Sequence, residues 1–350
     1  DPEDFLLAPR RIAPFDTVDP ALLALYPDDL TADPRFAFRR FDDSTPVRWC
    51  KAQSLQGESV HVPAGAVYVP WYFAGGSVEP PIFPPISTGL ACHGSLDRAR
   101  LGGLMEVVER DAFTLLWQTQ SPLAEIAHDG LPEDSLEIIR RIHATGARVR
   151  LGLVPTDHGI PVCVATQTID SDRMPAFSLA ASASPDPADA VRKALEELVH
   201  TFRWMARLQA SNPDFDPGDA AEHVVDQETH LLFWSDRSRR HLADFLFQGG
   251  RIAFADIPGP ISTDPSRQLA NAVHRIEQTG YRPLFVTLTT DDVAAFGFHV
   301  VRALVPGFNP LFMGHDLRSR CNPRLVARLA ECEPDPAKAT ALNTLPHPFP

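Results

Sequence analysis

Glu106, Glu109 and Arg110 are the residues of this chain whose types and spacing are best suited to chemistry. Two carboxylates three residues apart share a helix face, where they can hold a hard cation such as Mg²⁺ against nucleotide phosphates. The adjacent guanidinium can meet a phosphate or fix a glutamate. Gly102 and Gly103 lie one turn earlier on the same face. Glycine inside a helix costs about 1 kcal/mol relative to alanine, so a consecutive pair asks for close approach of a ligand or another backbone. On spacing alone, the ordinary alternative is a solvated face carrying a Glu-to-Arg pair four residues apart. Glu197 offers a further carboxylate among small residues, sharing a helix face with Ala190, Ala194, His200 and Thr201, although Glu196 and Glu197 read equally well as surface residues.

Two long helices must position these groups. The first spans Ser95 to Gln118, with Leu101, Leu104, Met105, Val108, Ala112, Leu115 and Leu116 on its apolar side. The second runs from Asp186 to about Leu208, with Asp186 as N-cap and Pro187 at the first position. Between them the pattern predicts a helix near Asp134 to Thr145 and strands at Arg148 to Val154 and Val162 to Ile169. Upstream, Val47 to Cys50 and Val60 to Val62 predict a hairpin turning at Gln56-Gly57. Downstream come a polar stretch (211–229), a helix over 236–248, a strand from Tyr281 to Leu288, a helix from Asp291 to Phe296 and a strand from Phe298 to Val305. Intermixed strands and helices give an α/β (α+β) class. Residues 1–40 read as an irregular lead-in with a short helix around Pro20 to Tyr26, and residues 41–350 as the domain proper.

Composition excludes several functions. The 32 basic against 45 acidic residues give a net charge of −13, which argues against nonspecific nucleic-acid or anionic-membrane binding. No apolar run approaches the ~20 residues of a membrane span, and the first residues lack a signal pattern, so a cytoplasmic location is expected. Five scattered cysteines form no CxxC pair, which disfavours a disulfide framework or zinc knuckle. Prolines number 34, yet with 44% hydrophobic residues they read as punctuation between folded elements.

The words of the sequence add to its periodicity. Ser87-Thr88-Gly89-Leu90-Ala91, followed by Gly103-Leu104-Met105-Glu106-Val107-Val108-Glu109-Arg110-Asp111-Ala112-Phe113 and Trp117, resembles the signature of the YcaO family. Ala183 to Glu197 resembles that family's second nucleotide-site helix, and His299-Val300-Val301-Arg302 with Val305-Pro306-Gly307 its late strand and loop. The ending Pro346-His347-Pro348-Phe349-Pro350 is a PxPxP motif and resembles the azoline-forming members, the cyclodehydratases of thiazole/oxazole-modified peptide biosynthesis. The resemblance implies a YcaO-type ATP-binding domain with mixed or antiparallel sheets flanked by helices. It further implies Glu106, Glu109 and Glu197 as Mg²⁺ ligands, with Arg110, His200 and Arg302 as further ATP contacts. His200 stands where the family usually has Gln, and the family's earliest nucleotide-contacting Lys and Ser find no match in residues 1–40, which fits a truncated or divergent start.

What the resemblance implies chemically is that a Cys, Ser or Thr side chain of a ribosomal precursor peptide attacks the preceding amide, whose oxygen leaves after phosphorylation from ATP. The tail would enter the active site, making the α-carboxylate of Pro350 or the imidazole of His347 the candidate base. Expected partners are the precursor peptide, a separate leader-peptide-binding partner protein (E1-like or similar) or the missing N-terminal part of a fusion, and a flavin dehydrogenase. Homodimerisation is common in the family. The alternatives are a YcaO protein that makes a thioamide or amidine, and a catalytically weakened scaffold within a peptide-modifying complex.

Overall fold

The computed structural model of the chain describes residues 5–72, 78–82, 84–171, 173–332 and 342–350. They belong to two compact units, one comprising Asp1–Val107, Ser262–Pro310 and Ser319–Ala327, the other Val108–Ile261, Leu311–Arg318 and Arg328–Pro350.

The first unit contains β1 (Leu7–Pro9), α1 (Asp28–Ala32), β2 (Pro46–Gln53), β3 (Ser59–Pro63) and β4 (Leu90–His93). The helix α2 (Leu96–Gln118) begins in this unit and ends in the next. The second unit contains β5 (Ala124–Ile126), α3 (Glu133–His143), β6 (Arg148–Leu153), β7 (Val162–Thr168), β8 (Phe177–Ala183), α4 (Pro187–Ser211), α5 (Gln227–Ser235) and β9 (Arg251–Ile252). The chain then returns to the first unit with α6 (Pro265–Glu277), β10 (Leu284–Thr287), α7 (Asp291–Ala295) and β11 (His299–Leu304), and α8 (Pro323–Cys332) follows.

In the first unit six strands form an antiparallel sheet in the order β1-β2-β10-β11-β4, with β3 paired to β2. The expected hairpin is β2–β3, and Gly57 takes φ +90° in its turn, a conformation that glycine adopts without strain. Val47, Trp49, Ala52 and Val62 point from the hairpin into a core shared with Leu284 and Val286 of β10. The early residues Leu7–Pro9 are part of the sheet, paired to β2, and the helix expected near Pro20 is a 3-10 turn over Pro20–Leu23.

In the second unit the sheet order is β8-β7-β6-β5-β9, antiparallel except for β5 beside β9. α3 and α4 cover one face, where Val149, Leu151, Cys163, Ala165 and Ala180 interdigitate with Ile139, Ile142, Val191, Ala194, Leu195 and Leu198. α4 starts where its cap predicts, the Asp186 side chain accepting from the Ala188 N–H with Pro187 next. Residues 236–248 form a 3-10 segment, Arg237–Phe247, instead of the expected α-helix. Its buried side chains Ala243 and Leu246 are three apart, the repeat of that tighter helix. The polar stretch 211–229 ends in α5, nucleated by a capping box between Asp226 and Thr229 that the composition of the stretch concealed. Among the described residues no helix is long and apolar enough to cross a membrane.

Candidate active site

In the first unit, two glycines let a loop and a helix touch. A Cβ on Gly89, which sits at φ +90°, would lie 2.2 Å from the Ala303 carbonyl oxygen, and one on Gly103 would lie 2.4 Å from that of Gly89. The close approach expected at the glycine pair is therefore to another backbone, and it belongs to Gly103 alone; Gly102 is exposed with ordinary spacing. It brings the Gly89 N–H to the Glu106 carboxylate at 2.9 Å, which orients that side chain. Arg302, on β11, is only 4% exposed. Its Nη1 donates to the Ile86 carbonyl at 2.8 Å, while its Nε is buried with no hydrogen-bond partner. Burial pulls its pKa down to about 10, against the opposing attraction of Glu106. The guanidinium lines a largely apolar cavity of about 110 Å³ with Ile86, Thr88, Val107 and Leu304. A buried cation short of acceptors at a cavity wall fits an anionic ligand such as a phosphate.

In the second unit, Glu109 is buried, accepts from the Ala183 N–H at 3.3 Å and lies 3.5 Å from Arg110 Nε. Asp111, Thr114 and Gln118 have no exposed surface, so the alternative of a solvated face does not hold for this stretch of α2. Arg110 donates from Nη1 to the backbone oxygen of Pro350 at 3.1 Å and lies over the Phe349 ring at 4.3 Å. His347 is fully buried. Its Nε2 donates to the Phe312 carbonyl and its Nδ1 accepts from the Phe349 N–H, so both ring nitrogens are committed. Desolvation, aided by the nearby Arg110 charge, pushes its pKa down to about 4, so the ring is neutral at pH 7.

Glu197 and His200 occupy α4 in different surroundings. Glu197 is half-buried, whereas His200 is exposed and lines a cleft with Ile142, Gln167, Ile169 and Arg203. Among the described residues no cluster of three or more His, Cys, Asp or Glu side chains is gathered as a cation cage. Separate carboxylates still fit Mg²⁺, which keeps few protein ligands and takes others from nucleotide phosphates.

Several partners of the tail escaped the sequence reading. Trp234, His230, Arg318 and Asn343 all hydrogen-bond within it or to it. Trp234, His230 and Arg318 lie on other segments with no local motif, and Asn343 stands within the tail just ahead of the PxPxP ending, so nothing in the sequence marks them.

A family model described as YcaO cyclodehydratase, ATP- and Mg²⁺-binding, matches residues 2–309. An uncharacterized protein of Methanothermobacter thermautotrophicus is 28% identical over 295 residues, covering 79% of this chain and 71% of its own length. A heterocyclase solved in complex with substrate and cofactor superposes with TM-score 0.75 at 18% identity, over 95% of this chain. The chain spans only 44% of that heterocyclase. The YcaO protein of Methanopyrus kandleri, solved with AMPPCP and Mg²⁺, superposes with TM-score 0.57 at 25% identity, over 76% of this chain and 66% of its own. The match across residues 2–309 shows that this chain belongs to the YcaO family of ATP- and Mg²⁺-binding cyclodehydratases.

Proposed function

We propose that the protein is an ATP-dependent cyclodehydratase subunit that closes thiazoline or oxazoline rings on a precursor peptide. The observation that carries this reading is the seating of Pro350 on Arg110, the residue after the buried Glu109. A proline-rich tail packed into the unit that bears the second glutamate suits ring-forming chemistry better than simple nucleotide hydrolysis. The AMPPCP and Mg²⁺ of the Methanopyrus relative and the substrate of the heterocyclase support the ligand classes assigned.

Ring closure needs three things from the chain. The triphosphate must be held; Arg302 supplies a buried cation with a free donor for it, and Glu106, Glu109 and Glu197 supply oxygen ligands for Mg²⁺. Bound there, the Mg²⁺ would offset phosphate charge. The amide oxygen must leave as phosphate, and the family resemblance assigns Arg110 and Arg302 to offset charge as the bond to the carbon breaks. The attacking thiol or hydroxyl must lose a proton. We assign that base to the Pro350 oxygen held by Arg110, a carboxylate when Pro350 is the terminal residue. His347, with both nitrogens engaged, anchors the tail instead. His200 is assigned to the nucleotide only through the family pattern.

Substrate delivery falls to a leader-peptide-binding partner or to a further domain of the same polypeptide, with a flavin dehydrogenase and a second copy of this chain as further partners. The test is incubation of the chain and its partner with precursor peptide and Mg-ATP. The expected product has lost one water mass per ring with stoichiometric ATP consumption. An unmodified peptide and unconsumed ATP would overturn the assignment, and a mass change equal to oxygen-for-sulfur exchange would move it to thioamide formation. Deleting Pro346 to Pro350 should abolish cyclisation while sparing nucleotide binding, and full activity without them would refute the role given to the tail.

A further inference from the structure

Residues 342–350 belong to neither sheet of the described structure. They are held by their main-chain oxygens, five of which accept from side chains of the second unit. Arg318 Nη1 donates to Asn343 O at 2.9 Å, Trp117 Nε1 to Leu345 O at 3.0 Å and Trp234 Nε1 to Pro346 O at 2.9 Å. His230 Nδ1 donates to His347 O at 3.0 Å and Arg110 Nη1 to Pro350 O at 3.1 Å.

The segment satisfies several of its own donors internally. Leu345 N–H bonds to the Asn343 side chain and Phe349 N–H to the His347 ring, while Pro346, Pro348 and Pro350 have no N–H to leave unpaired. A peptide whose carbonyls meet side-chain donors, and whose own N–H donors are few and partly paired within it, can be buried without a β-ladder. Proline stiffness lowers the entropy lost when such an extended segment docks.

Side-chain pockets fix its position. The Phe349 ring is buried 4.5 Å from that of Phe113, under the Arg110 guanidinium. The His347 ring stacks on His230 at 3.9 Å and meets Phe312 edge-on at 4.6 Å. Asn343 sets the register, since its N–H donates to Gln118 O at 2.8 Å and its side-chain amide to Trp117 O at 3.0 Å. Those carbonyls belong to the last turn of α2, where the regular helical bonds run out and the Trp117 oxygen otherwise accepts only from the Gln120 N–H at 3.3 Å.

The geometry points to a peptide receptor in the second unit: Arg110, Trp117, His230, Trp234 and Arg318 recognise an extended Asn-x-Leu-Pro-His-Pro-Phe-Pro segment as a separable ligand, supplied here in cis and equally able to bind as a free peptide. This stands on the described contacts alone and holds whether or not the chain forms azolines.

The test uses the full chain carrying Asn343→Ala and Phe349→Ala, which weakens its own tail, and a fluorescein-labelled peptide of residues 342–350 followed by anisotropy. The peptide should bind this variant saturably and at least about tenfold tighter than it binds the native chain, whose own tail competes. A peptide bearing Asn343→Ala should bind about tenfold more weakly than the native peptide. Absence of saturable binding to a variant that retains native circular dichroism would overturn the proposal. Should that variant fail to fold, the native chain with a protease site inserted between Cys332 and Leu342 is cut after folding and mixed with labelled peptide. Exchange of the labelled peptide into the cut protein supports the receptor, and a fragment that never exchanges refutes it.

Discussion

Arg110 binds Pro350 across 240 residues of sequence, its Nη1 3.1 Å from the Pro350 oxygen while its guanidinium lies over Phe349. One side chain thus makes both a charge-assisted hydrogen bond and a cation–π contact to the tail, directly after the buried Glu109. Lysine retains the charge but not the planar donor array. Arg110→Lys should therefore lower the cyclisation kcat at least about tenfold, from one charged hydrogen bond worth roughly 1.5–3 kcal/mol. Hydrogen exchange should show reduced protection at the Phe349 amide, and unchanged protection with normal turnover would contradict this account.

The glycines of the first unit make a graded prediction. Gly89→Ala and Gly103→Ala each drive a methyl group into a backbone oxygen, at 2.2 and 2.4 Å respectively, and should destabilise the unit by roughly 2–4 kcal/mol. Gly57→Ala meets nothing within 4 Å and suffers only its φ of +90°, so about 1 kcal/mol is expected. Denaturant titration of the three variants checks the order, and equal losses would remove the steric argument.

Arg302 trades stability for binding. A buried guanidinium with an unpartnered Nε beside an apolar cavity destabilises the ligand-free fold. Arg302→Met should raise the apo Tm by a few degrees, roughly 1 kcal/mol in a chain this size. The same change should erase the rise in Tm that Mg-ATP produces in the native chain. A variant that still gained stability from nucleotide would place the phosphates elsewhere.

His347 makes tail docking sensitive to acid. Its ring takes up a proton near 6.5 when free but only near about 4 when buried. Between those values the undocked ring holds more protons, so stability falls as pH falls. Its contribution is complete above about pH 6.5 and lost progressively down to about 4, roughly 3 kcal/mol in all. His230, displaced in the same direction by burial and by His347, steepens the loss, while His315 and Arg110 add further positive charge nearby. Tryptophan fluorescence from Trp117 and Trp234 across this range should follow tail release, and His347→Gln should flatten the profile. An unaltered profile in that variant would assign the transition to other groups.

Much of the scaffold was legible from local pattern. The hairpin turn at Gly57, the α4 cap at Asp186 and Pro187, and the full length of α2 follow from steric and hydrogen-bonding rules acting within a few residues. Strand β8 was not legible, because Phe177–Ala183 is buried at every position and so shows no alternation. The amphipathic reading of α2 went astray for a related reason. A helical wheel distinguishes apolar from polar sides, yet it cannot tell that Glu109, Asp111, Thr114 and Gln118 will all be covered.

The sequence by itself determined that Glu106, Glu109 and Arg110 share one helix, that the glycine pair asks for close approach of a ligand or another backbone, and that the chain carries a PxPxP segment, since residue type and spacing suffice for each. Only the tertiary structure decided that Gly89 is the backbone met by Gly103, that Arg302 is buried short of an acceptor, and that Trp117, Trp234, His230 and Arg318 close upon the tail. Those partners stand more than a hundred residues from the tail, or, for Arg318, on an irregular loop. Packing brings them within hydrogen-bonding distance, where no periodicity along the chain can reveal them.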